Sequence, residues 1–154
     1  MQTFLPYKDF IQSAKCLDNK RLGKQRVEAF QILLALLSID KNLQPKEKPS
    51  HWSNHPATKI WRGYEYSLCI YAMCMCDEWR LRGFNSTVHI KLQKIWTDIL
   101  LQKEGVNLVI YPTWLDENFC RAHQSNLLRK DYAHYSKYFG TDVPTDLEYI
   151  WPVQ

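Results

Sequence analysis

The stretch LDNKRLGKQRVEAFQILLALLS, residues 17–38, decides the fold. Its apolar residues recur at the spacing of one face of an α-helix. The apolar stripe that we expect to face the core consists of Leu22, Phe30, Leu33 and Leu37. We therefore predict a long helix from about Asp18 to Ser38, with the rest of the protein packed against this stripe.

The opposite face of this helix is mostly basic. With residues placed about 100° apart around the axis, one third of the circumference holds Lys20, Arg21, Lys24, Glu28 and Gln31. A helix that only had to be soluble would mix both signs of charge, because like charges one turn apart repel. Glu28 is either half of an ion pair with Lys24 on a solvated face, or an active-site carboxylate among cations that bind phosphate. Arg26 projects toward the apolar stripe, so it either pairs in a buried network or reaches a ligand.

The remaining sequence predicts an all-α protein, a single compact, bundle-like domain over residues 1–154 with irregular loops and an extended C-terminal tail. Glycine is scarce, and no long alternating run predicts a sheet. The further predicted helices run from Asp9 to Cys16, from Pro56 through Gly83, from residues 85–87 to about Lys103 and from Asp116 to Lys130, with one or two short turns in residues 131–140. The segment VNLVIYP, residues 106–112, is the only strand-like one.

Cysteine usage and hydropathy predict a reduced, intracellular and cytoplasmic protein. The five cysteines are odd in number and lie in apolar-rich segments, and the N-terminus lacks the features of a signal peptide. The longest apolar run, AFQILLALL, is shorter than the ~20 residues that span a bilayer, so we expect no membrane insertion. Cys74 and Cys76 would project from nearly opposite sides of a helix, and no Cys-x-x-Cys pair exists, so we expect no metal site and no cofactor.

The net charge of +4 is unevenly distributed along the chain. From Lys8 to Glu28 there are six lysines or arginines and three acids, and from Arg121 to Lys137 there are four cations and one acid. Two basic segments from opposite ends of the chain favour one shared anionic partner, and we expect a nucleic acid.

Polar residues near helix ends supply further candidate contacts. The candidates for binding phosphate, sugar or base are Asn54, His55, Asn126, Arg129, Lys130, Lys137 and Tyr138. Asn, Ser and His at such places ordinarily cap helices or hydrogen-bond loops, and this alternative stays open. Most of the six Trp, nine Tyr and six Phe should be core, whereas the aromatic residues beside Lys137, and Trp52, could stack on bases.

Five segments resemble the pyrimidine-dimer DNA glycosylase family. In chain order they are MQTFLPYKDF, CLDNKRLGKQRVEAFQIL, HWSNHPATKIWRGYEYSL, RLRGFN and SNLLRKDYAHYSKYFG. They span nearly the whole chain and are most similar to the bacterial and viral, endonuclease V-like branch. The resemblance implies an all-α fold and a monomeric DNA glycosylase with an associated abasic-site lyase step on double-stranded DNA.

The resemblance also implies a chemistry. In the family an amine attacks C1′ of the damaged nucleotide, an imine forms as the base leaves, and β-elimination breaks the strand. Glu28 matches the family's catalytic glutamate. A carboxylate there would stabilise positive charge on the sugar and move protons, while Lys20, Arg21, Lys24 and Arg26 hold the flanking phosphates.

The nucleophile is the point at which this sequence differs from the family. In the phage member the amine belongs to a Thr exposed by removal of the initiator Met, and an α-amine ordinarily titrates about two pH units or more below lysine. Here residue 2 is Gln2, a side chain large enough to block Met removal. We therefore predict a catalytic group of Glu28, Met1 and Gln2. The alternatives are a lysine, Lys20 or Lys24, and water activated by Glu28.

Two functions of other classes stay open. A non-catalytic module that recognises nucleic acid by charge and shape would need the same basic helix face. A nucleotide or an acidic protein could also be the anionic partner, and would predict weak binding of duplex DNA with a shallow salt dependence. Pocket shape decides which damaged or modified base is removed, so the pyrimidine dimer is an expectation from the resemblance alone.

Overall fold

Helices joined by irregular loops make up the computed structural model, which describes residues 1–152. The helices are α1 (Phe10–Cys16), α2 (Asn19–Leu37), α3 (Pro56–Lys59), α4 (Glu65–Leu81), α5 (Val88–Lys94), which continues into a π-helical turn (Ile95–Leu100), α6 (Glu117–Lys130) and α7 (Tyr132–Phe139). The predicted all-α fold is confirmed. Within residues 1–152 the one β pairing is an isolated bridge between Ile39 and Pro45, and no helix is long and apolar enough to cross a bilayer.

Aspartates begin several of the helices. The Asp9 carboxylate accepts the Gln12 N–H at 3.0 Å, and the Asp116 carboxylate accepts the Phe119 N–H at 2.8 Å. Each bond satisfies a main-chain donor that the first helical turn leaves unpaired. The predicted starts of α1 and α6 are therefore confirmed. α2 also ends where predicted, at Ser38, whose φ of 54° is left-handed.

α4 ends in a Schellman motif at Gly83, whose φ is 92°. The Gly83 N–H donates to the Arg80 carbonyl at 2.9 Å, and the Phe84 N–H donates to the Trp79 carbonyl at 3.3 Å. The Phe84 ring stacks on the Trp79 ring with 4.2 Å between centroids. The predicted helix end at Gly83 is confirmed, and the motif fixes the Trp79 ring.

Four details of the secondary-structure prediction are wrong. The helix predicted from Pro56 through Gly83 is broken between α3 and α4, because residues 60–63 form turns and Gly63 has a φ of 86°. Residues 106–112 are irregular rather than a strand, because no strand lies beside them within the described residues. The helix predicted to reach Lys103 ends in the π-helical turn at Leu100, and the one or two short turns predicted in residues 131–140 are joined into one helix, α7 (Tyr132–Phe139).

The core lies between α2 and α4, and α1 also packs on α4. Of the predicted α2 stripe, Leu22, Phe30 and Leu33 are buried, and Leu37 is half-buried against the core. The largest fully buried side chains are aromatic and include Trp61, Tyr71 and Tyr135. The stripe therefore packs as predicted, and the aromatic residues fill the volume around it.

An extended segment, residues 2–6, crosses this core without a strand partner. Buried main-chain groups need hydrogen-bond partners, and side chains supply them here. Gln25 of α2 accepts the Phe4 N–H and donates to the Gln2 carbonyl, both at 2.8 Å. The Tyr71 hydroxyl lies 2.7 Å from both the Phe4 carbonyl and Gln25 Oε1. Gln25 and Tyr71 therefore fix the start of the chain against α2 and α4.

α6 holds the rest of this segment. The Leu5 N–H donates to His123 Nδ1 at 3.0 Å, and the Gln124 amide donates to the Pro6 carbonyl at 2.7 Å. Accepting a bond at Nδ1 requires neutral His123 with its proton on Nε2. Burial lowers the pKa of His123 to about 3, so the ring stays neutral at ordinary pH.

Gln25→Leu should lower the free energy of unfolding by about 2–5 kcal/mol, because it leaves the buried Phe4 N–H and Gln2 carbonyl without this partner. Urea denaturation measures the change. The matched control is Gln31→Leu at an exposed position of the same helix, and we expect it to change stability by less than about 0.5 kcal/mol. Equal effects of the two substitutions would contradict the anchoring role of Gln25.

Stability should also fall as the pH drops from 7 to 5. The unfolded chain protonates His123 near the ordinary pKa of 6.5, whereas the folded chain does so only near pH 3, so the unfolded state binds more protons in this range. One proton corresponds to a limiting slope of about 1.4 kcal/mol per pH unit. His123→Asn retains an acceptor for the Leu5 N–H without titrating, and its urea denaturation at pH 7, 6 and 5 should show the smaller slope. Identical slopes for both proteins would refute this assignment.

Candidate active site

A cavity of about 310 Å³ lies where the N-terminal segment meets the first turns of α2. Its lining residues are Met1, Gln2, Phe4, Lys20, Arg21, Lys24, Gln25, Glu28 and Lys130. Lys130 comes from the end of α6, so the two basic segments of the sequence meet here. Among these lining residues Glu28 is the only acid.

The Glu28 carboxylate is turned toward the N-terminal segment. Its Oε2 accepts the Gln2 main-chain N–H at 3.1 Å, which is its one hydrogen bond within residues 1–152. The ion pairs found within that range are Arg21 with Asp18 and Arg82 with Glu78. The Lys24–Glu28 ion pair of the solvated-face alternative is therefore not formed, and Glu28 Oε1 is not engaged by another part of the described chain.

Asp18 holds Arg21 at the edge of the cavity, with 3.1 Å between Arg21 Nη1 and Asp18 Oδ1. Burial would raise the pKa of Asp18, but hydrogen bonds from the Tyr135 hydroxyl and from Arg21 outweigh burial and lower it. Asp18 therefore stays ionised and partly neutralises Arg21. Lys20, Lys24 and Lys130 have no ion-pair partner within the described chain, so their charge is available to an anion.

His55 lies at the start of α3, near the same groups. Its Nδ1 accepts the Ala57 N–H at 3.0 Å, so Nε2 carries the proton of the neutral ring. Burial and then the positive amine of residue 1 lower the pKa of His55, whereas the Glu28 charge acts in the opposite direction. The charges of the amine and of Glu28 therefore both reach His55, and the lowered pKa keeps His55 a neutral N–H donor at pH 7.

Besides His55, six candidate residues do not line the cavity: Asn126 and Arg129 of α6, and four others. Asn54 is exposed in the turn before α3, and Lys137 and Tyr138 are exposed on α7. The Tyr138 ring contacts the His134 ring with 5.4 Å between centroids. Arg26 is the fourth. Nucleic-acid contacts by these residues stay predictions.

Arg26 is paired inside the protein. Its guanidinium lies over the Trp79 ring, 4.8 Å from the centroid, and donates to Ser86 Oγ at 3.4 Å. A Cβ atom at Gly23, one turn earlier, would lie only 3.0 Å from the Trp79 ring, so this close packing of α2 on Trp79 favours glycine. These contacts favour the paired alternative for Arg26, and its contact with a ligand stays a prediction.

Asn126 and Arg129 hold the C-terminal tail on α6. The Arg129 guanidinium donates to the Thr145 and Leu147 carbonyls at 2.5 and 2.9 Å and also bonds the Asn126 side chain. Asn126 Nδ2 donates to the Leu147 carbonyl at 3.2 Å. These contacts favour the loop-bonding alternative for both residues. Contact of Asn126 or Arg129 with nucleic acid stays a prediction.

The same tail reaches the N-terminal segment. The Tyr149 ring lies 5.4 Å from the His123 ring, and its hydroxyl interacts with the Gln2 side chain. Gln2 Oε1 also accepts the Thr3 N–H at 2.9 Å. Gln2 is therefore fixed by the tail at its side chain and by Glu28 at its main chain.

The cysteine thiols are not suited to act as nucleophiles. All five cysteines are unpaired. Burial raises the pKa of Cys16 and of Cys69 to about 12 and the pKa of Cys74, Cys76 and Cys120 to about 11. The reactive form of cysteine is the thiolate, which is scarce at neutral pH under these conditions.

Gln25 and Tyr71 position the N-terminal segment, and neither residue was predicted from the sequence. Gln25 lies three residues after Leu22 and four before Ala29, on the buried side of α2. A polar residue inside an apolar stripe was the available signal. Tyr71 offers no such signal in the sequence, because it is one of several aromatic residues in an apolar helix.

Comparison with known proteins identifies the class of enzyme. Residues 1–92, more than half of the chain, match the family described as pyrimidine dimer DNA glycosylase. No curated protein and no solved structure matches the chain significantly. The chain therefore belongs to the pyrimidine dimer DNA glycosylase family, and DNA is the partner that this family implies. The matched range includes every cavity residue except Lys130.

Arg129→Ala and Lys130→Ala should affect different properties. The first should change the stability of the protein, and the second should change the salt dependence of DNA binding. Loss of Arg129 releases the tail and should lower the free energy of unfolding by about 1–3 kcal/mol, with little change in the salt dependence of DNA binding. Loss of Lys130 should change stability by less than about 0.5 kcal/mol and reduce the slope of log affinity against log salt by about 1.

Urea denaturation and fluorescence anisotropy with duplex DNA across a KCl series measure these two quantities. A salt slope reduced equally by both substitutions would show that Arg129 binds phosphate and does more than hold the tail.

Proposed function

We propose that this protein removes a damaged base from double-stranded DNA and then cleaves the abasic strand as a lyase. One observation carries the proposal: the Glu28 carboxylate accepts the Gln2 main-chain N–H at 3.1 Å, inside a cavity that Met1 and four cations also line. Family membership supports a pyrimidine dimer as the lesion. A candidate acid, a candidate amine and candidate phosphate-binding cations line this one cavity, and that grouping supports the proposed chemistry.

The proposed reaction begins with attack of the residue 1 amine on C1′ of the damaged nucleotide. The bond between C1′ and the base breaks, and the base leaves with that electron pair and takes up a proton. The attached amine loses one proton, the C1′–O4′ bond of the sugar ring breaks as O4′ takes up a proton, and a protonated imine forms between residue 1 and C1′. Glu28 stabilises the positive charge and then takes a proton from C2′, so that the C3′–O bond breaks and the 3′ phosphate leaves.

The surroundings of residue 1 favour its amine over a lysine. The Met1 side chain packs against the core, so residue 1 is held at the cavity. Within residues 1–152 no ion pair joins the amine to Glu28, so that carboxylate does not hold the amine. Lys20 and Lys24 line the same cavity but are exposed on α2, and a lysine amine is ordinarily far less often neutral at pH 7.

The cations and His55 are proposed to hold the DNA. Lys20, Lys24 and Lys130 would bind phosphates beside the lesion, and the neutral His55 N–H would donate to a phosphate or sugar oxygen. One chain supplies every residue of the cavity, so we propose that the enzyme acts as a monomer.

Borohydride trapping tests the imine. The protein incubated with a duplex that contains one thymine dimer should give a covalent adduct on a denaturing gel, and mass spectrometry of its peptides should locate the DNA on residue 1. Two residues added before Met1 displace the amine and should reduce the adduct by ~100-fold or more. An adduct on Lys20 or Lys24 would replace the proposed nucleophile, and base release without any adduct would indicate water.

Glu28→Gln tests the acid, since it keeps an acceptor for the Gln2 N–H but removes the charge. It should slow single-turnover base release by about 10²–10⁴-fold and change the free energy of unfolding by less than about 1 kcal/mol. Glu104→Gln, at an exposed position outside the cavity, is the control and should release base at the wild-type rate. Full activity of Glu28→Gln would remove Glu28 from the mechanism. The wild type could also bind duplexes with a dimer, a deaminated base or an alkylated base and release no base from any of them. That result would indicate a non-catalytic module.

A further inference from the structure

Three hollows lie in series along the exposed face of α2, and we name them together the α2 track. The cavity described above shares Lys20, Lys24 and Glu28 with a groove of about 520 Å³. That groove shares Gln31 with a third hollow of about 310 Å³, which also contains Ala35. An α-helix rises about 1.5 Å per residue, so the third hollow extends along α2 from Gln31, about 4.5 Å from Glu28, to the level of Ala35, about 10 Å from Glu28.

A tight turn around Asp40 builds the far end of the α2 track. The Asp40 side chain accepts the Asn42 and Gln44 N–H groups at 2.8 and 3.0 Å. The Lys46 N–H donates to the Ser38 carbonyl at 2.8 Å and closes the turn. These bonds fix the main chain at both ends of the turn, so the side chains it carries start from fixed positions.

The third hollow is basic. Lys41 and Lys46 line it and form no ion pair within residues 1–152. Lys91 lies beside them, because its Nζ donates to the Lys41 carbonyl at 2.8 Å. Asp40 is the one acid among the lining residues, and it is occupied by the two main-chain N–H groups of its own turn. The hollow therefore carries a net positive charge.

Trp52 forms an aromatic wall of the same hollow. Its half-buried ring lies 4.7 Å from the His51 ring and 5.7 Å from the His55 ring. Through His55 the wall is continuous with the region of Glu28. An aromatic face beside lysines is suited to a nucleic-acid strand, because the ring packs on sugar or base while the lysines bind phosphate.

We propose that Lys41, Lys46 and Trp52 form a subsite for the DNA backbone that flanks the target nucleotide. The proposal rests on the proposed function, since the same duplex occupies the cavity at Glu28. At 3.4 Å per nucleotide along one strand, about 10 Å corresponds to about three phosphates. The subsite therefore binds phosphates about three nucleotides from the target, on one side of it only.

The test compares the wild type with the double variant Lys41→Ala/Lys46→Ala. The ligand is a duplex with a central tetrahydrofuran abasic analogue and ten base pairs on each side. The analogue lacks the C1′ hydroxyl, so it cannot open to an aldehyde and forms no imine. Fluorescence anisotropy across a KCl series should show a salt slope reduced by about 2 and a roughly tenfold loss of affinity at low salt.

Two shortened duplexes make the test directional. Each keeps ten base pairs on one side of the analogue and two on the other. The double variant and the wild type should bind equally to the duplex that lacks the contacted flank and differ on the one that retains it.

Matched variants control for charge and for folding. Lys94→Ala/Lys103→Ala removes two exposed lysines outside the α2 track and should leave the salt slope nearly unchanged. Trp52→Ala should weaken binding of the full duplex about tenfold, and Trp52→Phe should restore most of it, because the ring is what packs on the strand. Thermal denaturation verifies that each variant is folded.

Unchanged salt slopes for Lys41→Ala/Lys46→Ala, or equal losses on both shortened duplexes, would overturn the subsite. Either result would still be compatible with base release by the wild type. Failure of the proposed function is a different result, namely no base release and no adduct from the wild type on the dimer duplex.

Discussion

The structure depends on a buried, extended chain start that has no strand beside it. Such a segment cannot satisfy its main-chain groups within a sheet, and each unsatisfied buried group costs about 1–3 kcal/mol. Side chains of α2, α4 and α6 therefore act as its partners, with Gln25 and Tyr71 binding Phe4 and His123 binding Leu5. Because Glu28 is three residues after Gln25 on the same helix, the partners that anchor the segment also determine which acid lies beside its first residues.

α2 combines three roles because a helix of 19 residues presents different faces at different angles. Its apolar stripe packs on α4, Gln25 binds the N-terminal segment, and the face with Lys20 and Lys24 remains open. Few acids neutralise that open face, so its charge is directed at a ligand and contributes little to the fold. Lys130 adds a cation from α6, which explains why two distant basic segments occur in one short chain.

Local signals made much of the fold predictable. The aspartates at helix starts, Gly83 at the end of α4 and the α2 stripe each depend on residues a few positions apart, and all occur as predicted. Residues 106–112 have the composition of a strand, but a strand needs a partner that local sequence does not reveal. The break at Gly63 was missed for a related reason, since apolar periodicity continues across it.

The candidate site was predictable only in part. The helical wheel placed Glu28 among cations, and the resemblance implied that the chain start belongs with it, as the shared cavity shows. Arg129 and Asn126 look like ligand-binding residues in sequence, yet their observed partners are carbonyls of a tail about 16 to 21 residues away. Long-range pairing of this kind leaves no periodic signal in a single sequence.

The hydrogen bond from Leu5 to His123 joins residues 118 positions apart, which has a consequence for biosynthesis. The amino-terminal residues leave the ribosome first, but the α6 part of their docking surface exists only after residues 117–130 have been translated. Closing so long a loop carries an entropic cost that non-local contacts must offset, so docking of this segment is a late event in folding. A nascent chain can thus build its α2–α4 helical core, with Phe4 bound to Gln25 and Tyr71, before α6 binds Leu5 and Lys130 completes the lining of the cavity.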